Sequence, residues 1–329
     1  MRQAAIAVID VGKSNAKLAL VDRASRATVA VRTMANAVLR SPPYPHYDVD
    51  RLWSWIVSGL REFALHADIE AIAVTTHGAA LALMAGDRLA LPVLDYEHDL
   101  SAVDAEYNAL RGDFAETLSP NLPGGLNAGR QLYWQRTTFP DAFAAVDTIL
   151  PYPQYWVWRL TGRKVAESTS RGCHTDLWNP RAGIWSRFAG RQGWDRLFPP
   201  VVRPWDTVGT LLPPLAAETG IAAACRVVGG SHDSNASLLP HLIARSKPFA
   251  VLSSGTWMIV FAPGGSLDAL DRDRDCLANV DAFGEAVPSA RFMAGREYEI
   301  IAGEARAADD GAIARVIAGN VMALPAFAA

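Results

Sequence analysis

The chain has 329 residues, too many for one small core and enough for two domains. Half of it is apolar, a fifth is charged and the formal net charge is -3, so no basic field is present to hold nucleic acid or an anionic membrane. Three cysteines, Cys173, Cys225 and Cys276, lie far apart with no CxxC pair, which argues against a zinc site or disulfide framework and fits reduced thiols in a cytoplasm.

Ala4–Ile9, Ala16–Val21 and Thr28–Thr33 are β-rich runs joined by short turns and predict a three-strand antiparallel meander. Asp10 interrupts the first apolar run and no cleavage-site pattern follows, so no signal peptide is expected. Prolines in Ser41–Pro45 mark a loop. Asp50 then reads as the N-cap of a helix whose buried face is Leu52, Trp53, Ile56, Val57, Leu60 and Phe63. Ala71–Thr75 is a short buried strand ending at Thr76-His77-Gly78. Apolar character resumes over Ala79–Met84, and Leu89–Leu94 is a further strand ending at Asp95-Tyr96-Glu97-His98-Asp99. Strand C-termini border the ligand crevice of an α/β sheet, so both polar clusters stand where a substrate meets them.

Asn127–Gln135 and Tyr155–Leu160 predict helices, and the ten tryptophans are assigned mainly to the core. Arg226–Val228 is a strand running into Gly229-Gly230-Ser231-His232-Asp233, with a helix from about Ser234 to His241 after it. Lys247-Pro248 reads as a hinge. Phe249–Ser253 and Trp257–Phe261 flank Ser254-Gly255-Thr256, and the alanine-rich tail from Glu304 to Val321 reads as helical. No run of about 18 apolar residues is present to span a membrane.

Two segments share one design. Val8–Leu18 and Val251–Val260 are each an apolar strand, a turn with glycine and small hydroxyl residues, and a second apolar strand. Such turns aim N–H groups and hydroxyls at phosphate oxygens, and two of them can hold the two ends of a triphosphate. In the first, Asp10 can hold Mg²⁺ while Gly12, Lys13 and Ser14 meet phosphate; the plain alternative is a hairpin corner. Walker A spacing is absent. Asp233 can accept a substrate hydroxyl proton, or can simply cap its helix. Ser253-Ser254-Gly255-Thr256 is richer in hydroxyls than a hairpin needs. Thr76-His77-Gly78 and Asp95-Tyr96 offer hydrogen-bonding groups and a stacking face for a polyhydroxylated ligand.

Taken in order, these segments resemble the FGGY family of carbohydrate kinases, within the actin, hexokinase and heat-shock chaperone superfamily. The residues that carry the likeness are Asp10–Lys17, Thr76-His77-Gly78, Gln131–Trp134, Tyr155–Gly162, Glu167–Ser170, Gly229–Asp233 and Ser253–Trp257. The His-Asp and Ser-Ser-Gly-Thr-Trp forms look most like the rhamnulokinase and fuculokinase branch.

The resemblance implies an α/β, ribonuclease-H-like two-domain fold. A sugar-binding domain would span 1–245 and a partial nucleotide-binding domain 246–329, since members continue for over a hundred further residues with an adenosine-binding loop. It implies ATP and Mg²⁺ as cofactors and phosphorylation of a ketose, deoxyketose or polyol, in a cytoplasmic enzyme with a homodimer as the default state. Asp233 is the expected general base, and Asp10 and Asp233 are the expected Mg²⁺ partners. Gly12, Lys13, Ser14, Ser254, Gly255 and Thr256 are expected at phosphate. Thr76, His77, Gly78, Asp95, Tyr96, His232 and Asp233 are expected at the sugar. The Asp95–Asp99 segment departs from the family in lacking the arginine many members carry nearby. Two other classes fit parts of the pattern: a sugar-binding remnant without ATP binding, and a sugar-independent ATPase.

Overall fold

The computed structural model describes residues 2–254, 258–292, 294–303 and 308–321. The meander forms as expected: β1 (Gln3–Val11), β2 (Asn15–Asp22) and β3 (Thr28–Ala35) pair antiparallel. Alternation along β1 buries Ala5, Ala7, Ile9 and Val11 on one face. Helix α1 (Val49–Ala64) then lays Leu52, Ile56, Leu60 and Phe63 into the same core. Its N-cap is Asp48, whose side chain accepts the Arg51 N–H at 3.0 Å, and not Asp50, which lies one turn position inside and adds only first-turn charge.

Strand β4 (Ala67–Thr76) runs parallel to β1 at the centre of the sheet. Strands β5 (Leu81–Ala85) and β6 (Arg88–Leu91) form a side sheet. β6 stops at Leu91 rather than Leu94 because Pro92 cannot donate to a ladder. Helix α2 (Ala128–Thr138) follows, then β7 (Thr148–Pro151), which completes the side sheet, and α3 (Tyr152–Thr161), whose Trp156 is fully buried. After the short helix α4 (Ser168–Gly172), β8 (Thr207–Thr210), β9 (Arg226–Val228) and β10 (Ser231–His232) close the main sheet. Its order is β8-β9-β4-β1-β2-β3, with β10 also beside β4.

Helix α5 (Asp233–Ala244) leads out of this sheet. A second, antiparallel sheet contains β11 (Val251–Ser253), β12 (Met258–Phe261), β13 (Cys276–Val280) and β14 (Ala286–Phe292) in the order β11-β12-β14-β13. Its small core is Leu238, Phe261 and Val287. Lys247, expected at a hinge, is ion-paired to Glu285 at 2.5 Å and Asp281 at 3.5 Å in the turn between β13 and β14. The tail carries α6 (Ala294–Ala302) and α7 (Asp310–Ala318). The second of these is capped by Asp309 and covers part of the Glu304–Val321 run expected to be helical, of which residues 304–307 lie outside the described residues.

Candidate active site

Strand register assembles the site. Val11 pairs with Thr76, and Thr76 with His232, so three parallel strands end side by side. The residues after each end, Gly12-Lys13, His77-Gly78 and Asp233, emerge at one sheet edge, where α/β proteins bind ligands. They open on a cleft of about 560 Å³. Its first wall includes Lys13, His77, Gly78, Tyr96, Cys173, His174, His232 and Asp233. The facing wall is second-sheet surface: Ile259, Phe261, Leu277, Asn279, Ser289 and Arg291.

The turn before Asp233 is built around glycine. Gly230 has φ +75°, and a Cβ there would lie 2.9 Å from the Val74 carbonyl. Gln154 Nε2 donates to Gly229 O at 2.8 Å, and the His232 N–H donates to Thr169 Oγ1 at 2.9 Å. Thr169 is fixed in turn by Glu167, whose buried carboxylate caps α4. The Glu167–Ser170 and Gly229–Asp233 segments are thus one hydrogen-bonded unit.

Asp233 is the first residue of α5 and its side chain is 36% exposed, toward the cleft. Its carboxylate accepts the Ser234 N–H at 2.6 Å and lies 3.2 Å from His232 Nε2. Burial pushes this carboxyl up, but the hydrogen bond and charge of His232 outweigh it and hold Asp233 below its ordinary value. His232 moves the other way. Burial opposes its proton, yet Cys173 and Asp233 raise it well above an ordinary histidine. Asn235 Nδ2 lies 3.2 Å from His232 Nδ1, and its Oδ1 is buried without a hydrogen bond. Turning that amide over lets an imidazolium Nδ1–H donate to Oδ1. Asp10 is raised, first by burial and then by Asp233, which places two carboxylates within electrostatic reach of each other.

His77 sits among Tyr47, Tyr96 and Tyr152, with ring centroids 4.9, 5.6 and 5.2 Å away. Burial holds its pKa down to about 4. The neutral ring donates from Nδ1 to Gly78 O at 2.8 Å, which leaves Nε2, buried and without a hydrogen bond, as an acceptor. A Cβ on Gly78 would stand 2.8 Å from His232 Nε2, so glycine permits the two histidines to approach. The unfolded chain takes up the His77 proton near pH 6.5 and the folded chain only near 4. Between those values the unfolded state holds more protons, so stability falls as pH drops through that window. Urea unfolding is expected to show a lower midpoint at pH 5 than at pH 7, and His77→Gln to shrink that difference.

Other expected residues take different positions. Lys13 is bonded to the Asp95 carboxylate and lies 3.4 Å from Glu97, over the Tyr96 ring at 4.7 Å. It therefore ties the first phosphate-type turn to the Asp95–Glu97 loop. Asp95 is buried holding Lys13 and does not line the cleft. Thr76 is fully buried, and its hydroxyl is spent on the His77 carbonyl at 2.9 Å. Gly12 forms the tight corner: its N–H donates to Asn15 O at 3.0 Å and its carbonyl accepts Asn36 Nδ2 at 2.8 Å. Ser14 and Ser254 are exposed and do not line the cleft. Gly255 and Thr256 lie outside the described residues.

Sequence reasoning missed Cys173, His174, Asn279, Ser289 and Arg291. For Cys173 a signal existed in the Cys-His step just after Glu167–Ser170. Burial pushes its thiol up, but the neighbouring His174 and His232 outweigh this and bring it to about 6. Burial pushes the Cys225 thiol up to about 11. Iodoacetamide at pH 7 is expected to label Cys173 at least about tenfold faster than Cys225, because the thiolate is the nucleophile. Peptide mass mapping checks this.

Comparison with known proteins agrees with the geometry. Residues 5–240 match the N-terminal domain of the FGGY family of carbohydrate kinases, and residues 246–329 match the carbohydrate kinase FGGY C-terminal domain. L-fuculokinase of Salmonella typhi is 26% identical over 82% of this chain and 58% of its own length. L-xylulose/3-keto-L-gulonate kinase of Escherichia coli (strain K12) is 24% identical over 68% of this chain and 47% of its own. The crystal structure of a carbohydrate kinase from Novosphingobium aromaticivorans superposes with a TM-score of 0.84 at 43% identity, over 89% of this chain and 65% of that one. The chain thus spans a little over half the length of the fuculokinase it matches. The fold is the actin-like one of these kinases. With two family domains matched in order over most of its length, the chain belongs to the FGGY family of carbohydrate kinases.

Proposed function

We propose that this chain takes part in ATP-dependent phosphorylation of a sugar hydroxyl, with Asp233 as the general base. The observation that carries the reading is the meeting of Lys13, His77 and Asp233 at one cleft, with Asp233 held ionised by His232. Phosphoryl transfer needs alignment and charge neutralisation more than covalent chemistry. Mg²⁺ bound with ATP supplies charge neutralisation on the transferred phosphoryl group. Asp10 and Asp233 would hold it; a carboxylate raised in part by its neighbour's charge, as Asp10 is by Asp233, suits a cation which keeps most of its ligands as water and phosphate.

The chain's own residues do the rest. His77 Nε2 accepts one sugar hydroxyl, the Tyr96 ring covers a sugar face, and Asp233 orients the attacking hydroxyl and takes its proton. Gly12 lets the first turn approach phosphate closely. Ser254, Gly255 and Thr256 are proposed to form the second phosphate turn. The facing sheet limits water access once substrate is bound. A ketose or deoxyketose is the proposed acceptor on branch likeness. A cytoplasmic setting and a homodimer belong to the same proposal; sedimentation velocity tests the latter.

The test is ADP release across a panel of ketoses, polyols and aldonates. Sugar-stimulated release supports the reading. ADP release indifferent to sugar points to a plain ATPase, and sugar binding with no ATP binding by calorimetry points to a non-catalytic sugar binder.

A further inference from the structure

Asp233 is held by one of its two carboxylate oxygens. The Ser234 N–H at 2.6 Å, Ser234 Oγ at 3.2 Å and His232 Nε2 at 3.2 Å all converge on Oδ1. Oδ2 has no hydrogen-bond partner among the described residues, on a side chain 36% exposed toward the cleft. Oδ2 is therefore the oxygen that can meet a hydroxyl without breaking a bond to the protein.

His232 is gripped in turn. It is buried, its N–H donates to Thr169 Oγ1 at 2.9 Å, and its Nδ1 lies 3.2 Å from Asn235 Nδ2. Of the 12 residues of α5, Asn235 and Leu238 are the buried ones. Leu238 packs with Phe261 and Val287. The side chain of Asn235 makes its hydrogen bond to His232, and its Oδ1 is buried with none. An apolar residue would avoid that unsatisfied oxygen, so packing alone gives no reason for an amide here. We propose that Asn235 is a positioning residue: its amide fixes the His232 ring with Nε2–H toward Asp233 Oδ1, which leaves Oδ2 to receive the proton of the acceptor hydroxyl. The inference rests on the sugar-kinase reading.

An amide suits this task whichever charge the ring carries. Toward a neutral imidazole, Asn235 Nδ2 donates to Nδ1, which puts the single ring hydrogen on Nε2. Toward an imidazolium the amide turns over and Oδ1 accepts Nδ1–H. In both cases Nε2 presents a hydrogen to the carboxylate. A side chain that neither donates nor accepts leaves the ring free to rotate or to carry its hydrogen on Nδ1. Nε2 would then set a lone pair against Asp233, and Oδ1 would keep only the two Ser234 donors. The transfer step is unchanged by this: the hydroxyl oxygen bonds to phosphorus, the bond from phosphorus to the ADP oxygen breaks, and the hydroxyl proton ends on Oδ2.

Sugar-stimulated ADP release and nitrogen-15 NMR of the histidine rings test this on the full chain. Asn235→Leu should lower kcat by about 10- to 100-fold, as for loss of a hydrogen bond to a charged group, with KM within about threefold. Asn235→Ala carries the same expectation where leucine does not fold. Asn235→Asp still accepts Nδ1–H and should recover part of the loss. His232→Gln sets an amide nitrogen near the position of Nε2 and has no ring hydrogen to place, so adding Asn235→Leu to it should change kcat by less than about twofold. In the spectra, the His232 signal is the one missing from His232→Gln. Its Nε2 should stay protonated across the folded pH range of the parent and lose its hydrogen at the alkaline end in Asn235→Leu. Equal losses from Asn235→Leu in the parent and in His232→Gln mean that Asn235 acts through packing alone, and overturn the inference. So does a parent-like kcat in Asn235→Leu, or an Nε2 equally protonated in both spectra; the sugar-kinase reading stands in each case. If no sugar stimulates ADP release, that reading falls and takes the role of Oδ2 with it, while the spectra still decide whether Asn235 sets the ring.

Discussion

Asp233→Asn is expected to reduce sugar-dependent ADP release by about 10²–10⁴-fold, the usual contribution of a positioned general base. The amide preserves shape, and its oxygen can still accept the Ser234 N–H that the carboxylate accepts at 2.6 Å. It also leaves the glycine turn and the Thr169–His232 bond untouched. The variant should therefore melt within a degree or two of the parent and bind sugar within a few-fold. What it loses is the charge. Asp233 is held below its ordinary pKa chiefly because His232 outweighs its burial, so it is ionised at neutral pH and is a weak base toward a resting hydroxyl. Such a base acts late, as the hydroxyl oxygen gains its bond to phosphorus and its proton becomes acidic. The loss should thus appear in kcat and not in KM. Turnover near that of the parent, with ATP and sugar saturating, removes Asp233 from the role and leaves it as a first-turn helix residue.

Much of this site was legible because it depends on strand ends. Apolar alternation located β1, β2 and β3, and the run at Arg226–Val228 has the same ends in sequence and structure. Once those strands are parallel neighbours, the polar residues after them must meet. Local competition was harder to read. Asp48 and Asp50 flank Val49, and both precede the apolar helical face. Only Asp48 has its side chain three residues before a free N–H, that of Arg51, and Asp50 instead pairs with Arg159 at 3.3 Å.

Lysine beside glycine and serine suggests a phosphate contact at Lys13; what no local pattern shows is that the fold also brings a buried carboxylate, Asp95, within its reach. The facing wall was not legible at all. Asn279, Ser289 and Arg291 become neighbours of His77 only through the pairing of β12, β14 and β13 and the placement of that sheet against α4. No local pattern marks any of the three. Cys173 likewise comes within electrostatic reach of His232 through the fold, where Thr169 accepts the His232 N–H.

Gly172→Ala is expected to destabilise the chain by on the order of 3 kcal/mol, at the upper end for overpacking a tight contact. Gly172 ends α4 in the first lobe and is fully buried against β13 of the second. A Cβ there would fall 2.2 Å from Val280 Cγ2 and 2.5 Å from Val280 Cβ, closer than carbon atoms can approach. Val280 is 1% exposed and β-branched, so it has no free rotamer to retreat into. Either the α4 end or β13 must move. Both choices reach the cleft, since Cys173 follows Gly172 directly and Asn279 precedes Val280. The same substitution should therefore weaken sugar binding as well as stability, although Gly172 touches no ligand. Val280→Ala alone should cost about 2 kcal/mol through the cavity it leaves. The double variant should be at least about 1 kcal/mol more stable than the sum of the two, because removing Val280 Cγ2 relieves the closer of the two contacts and leaves only the Cβ at 2.5 Å to be accommodated. Urea unfolding of the three variants measures this. Additive losses, or a neutral Gly172→Ala, would mean that α4 and β13 are not packed at this contact, and the facing wall would then lose its fixed position over Asp233.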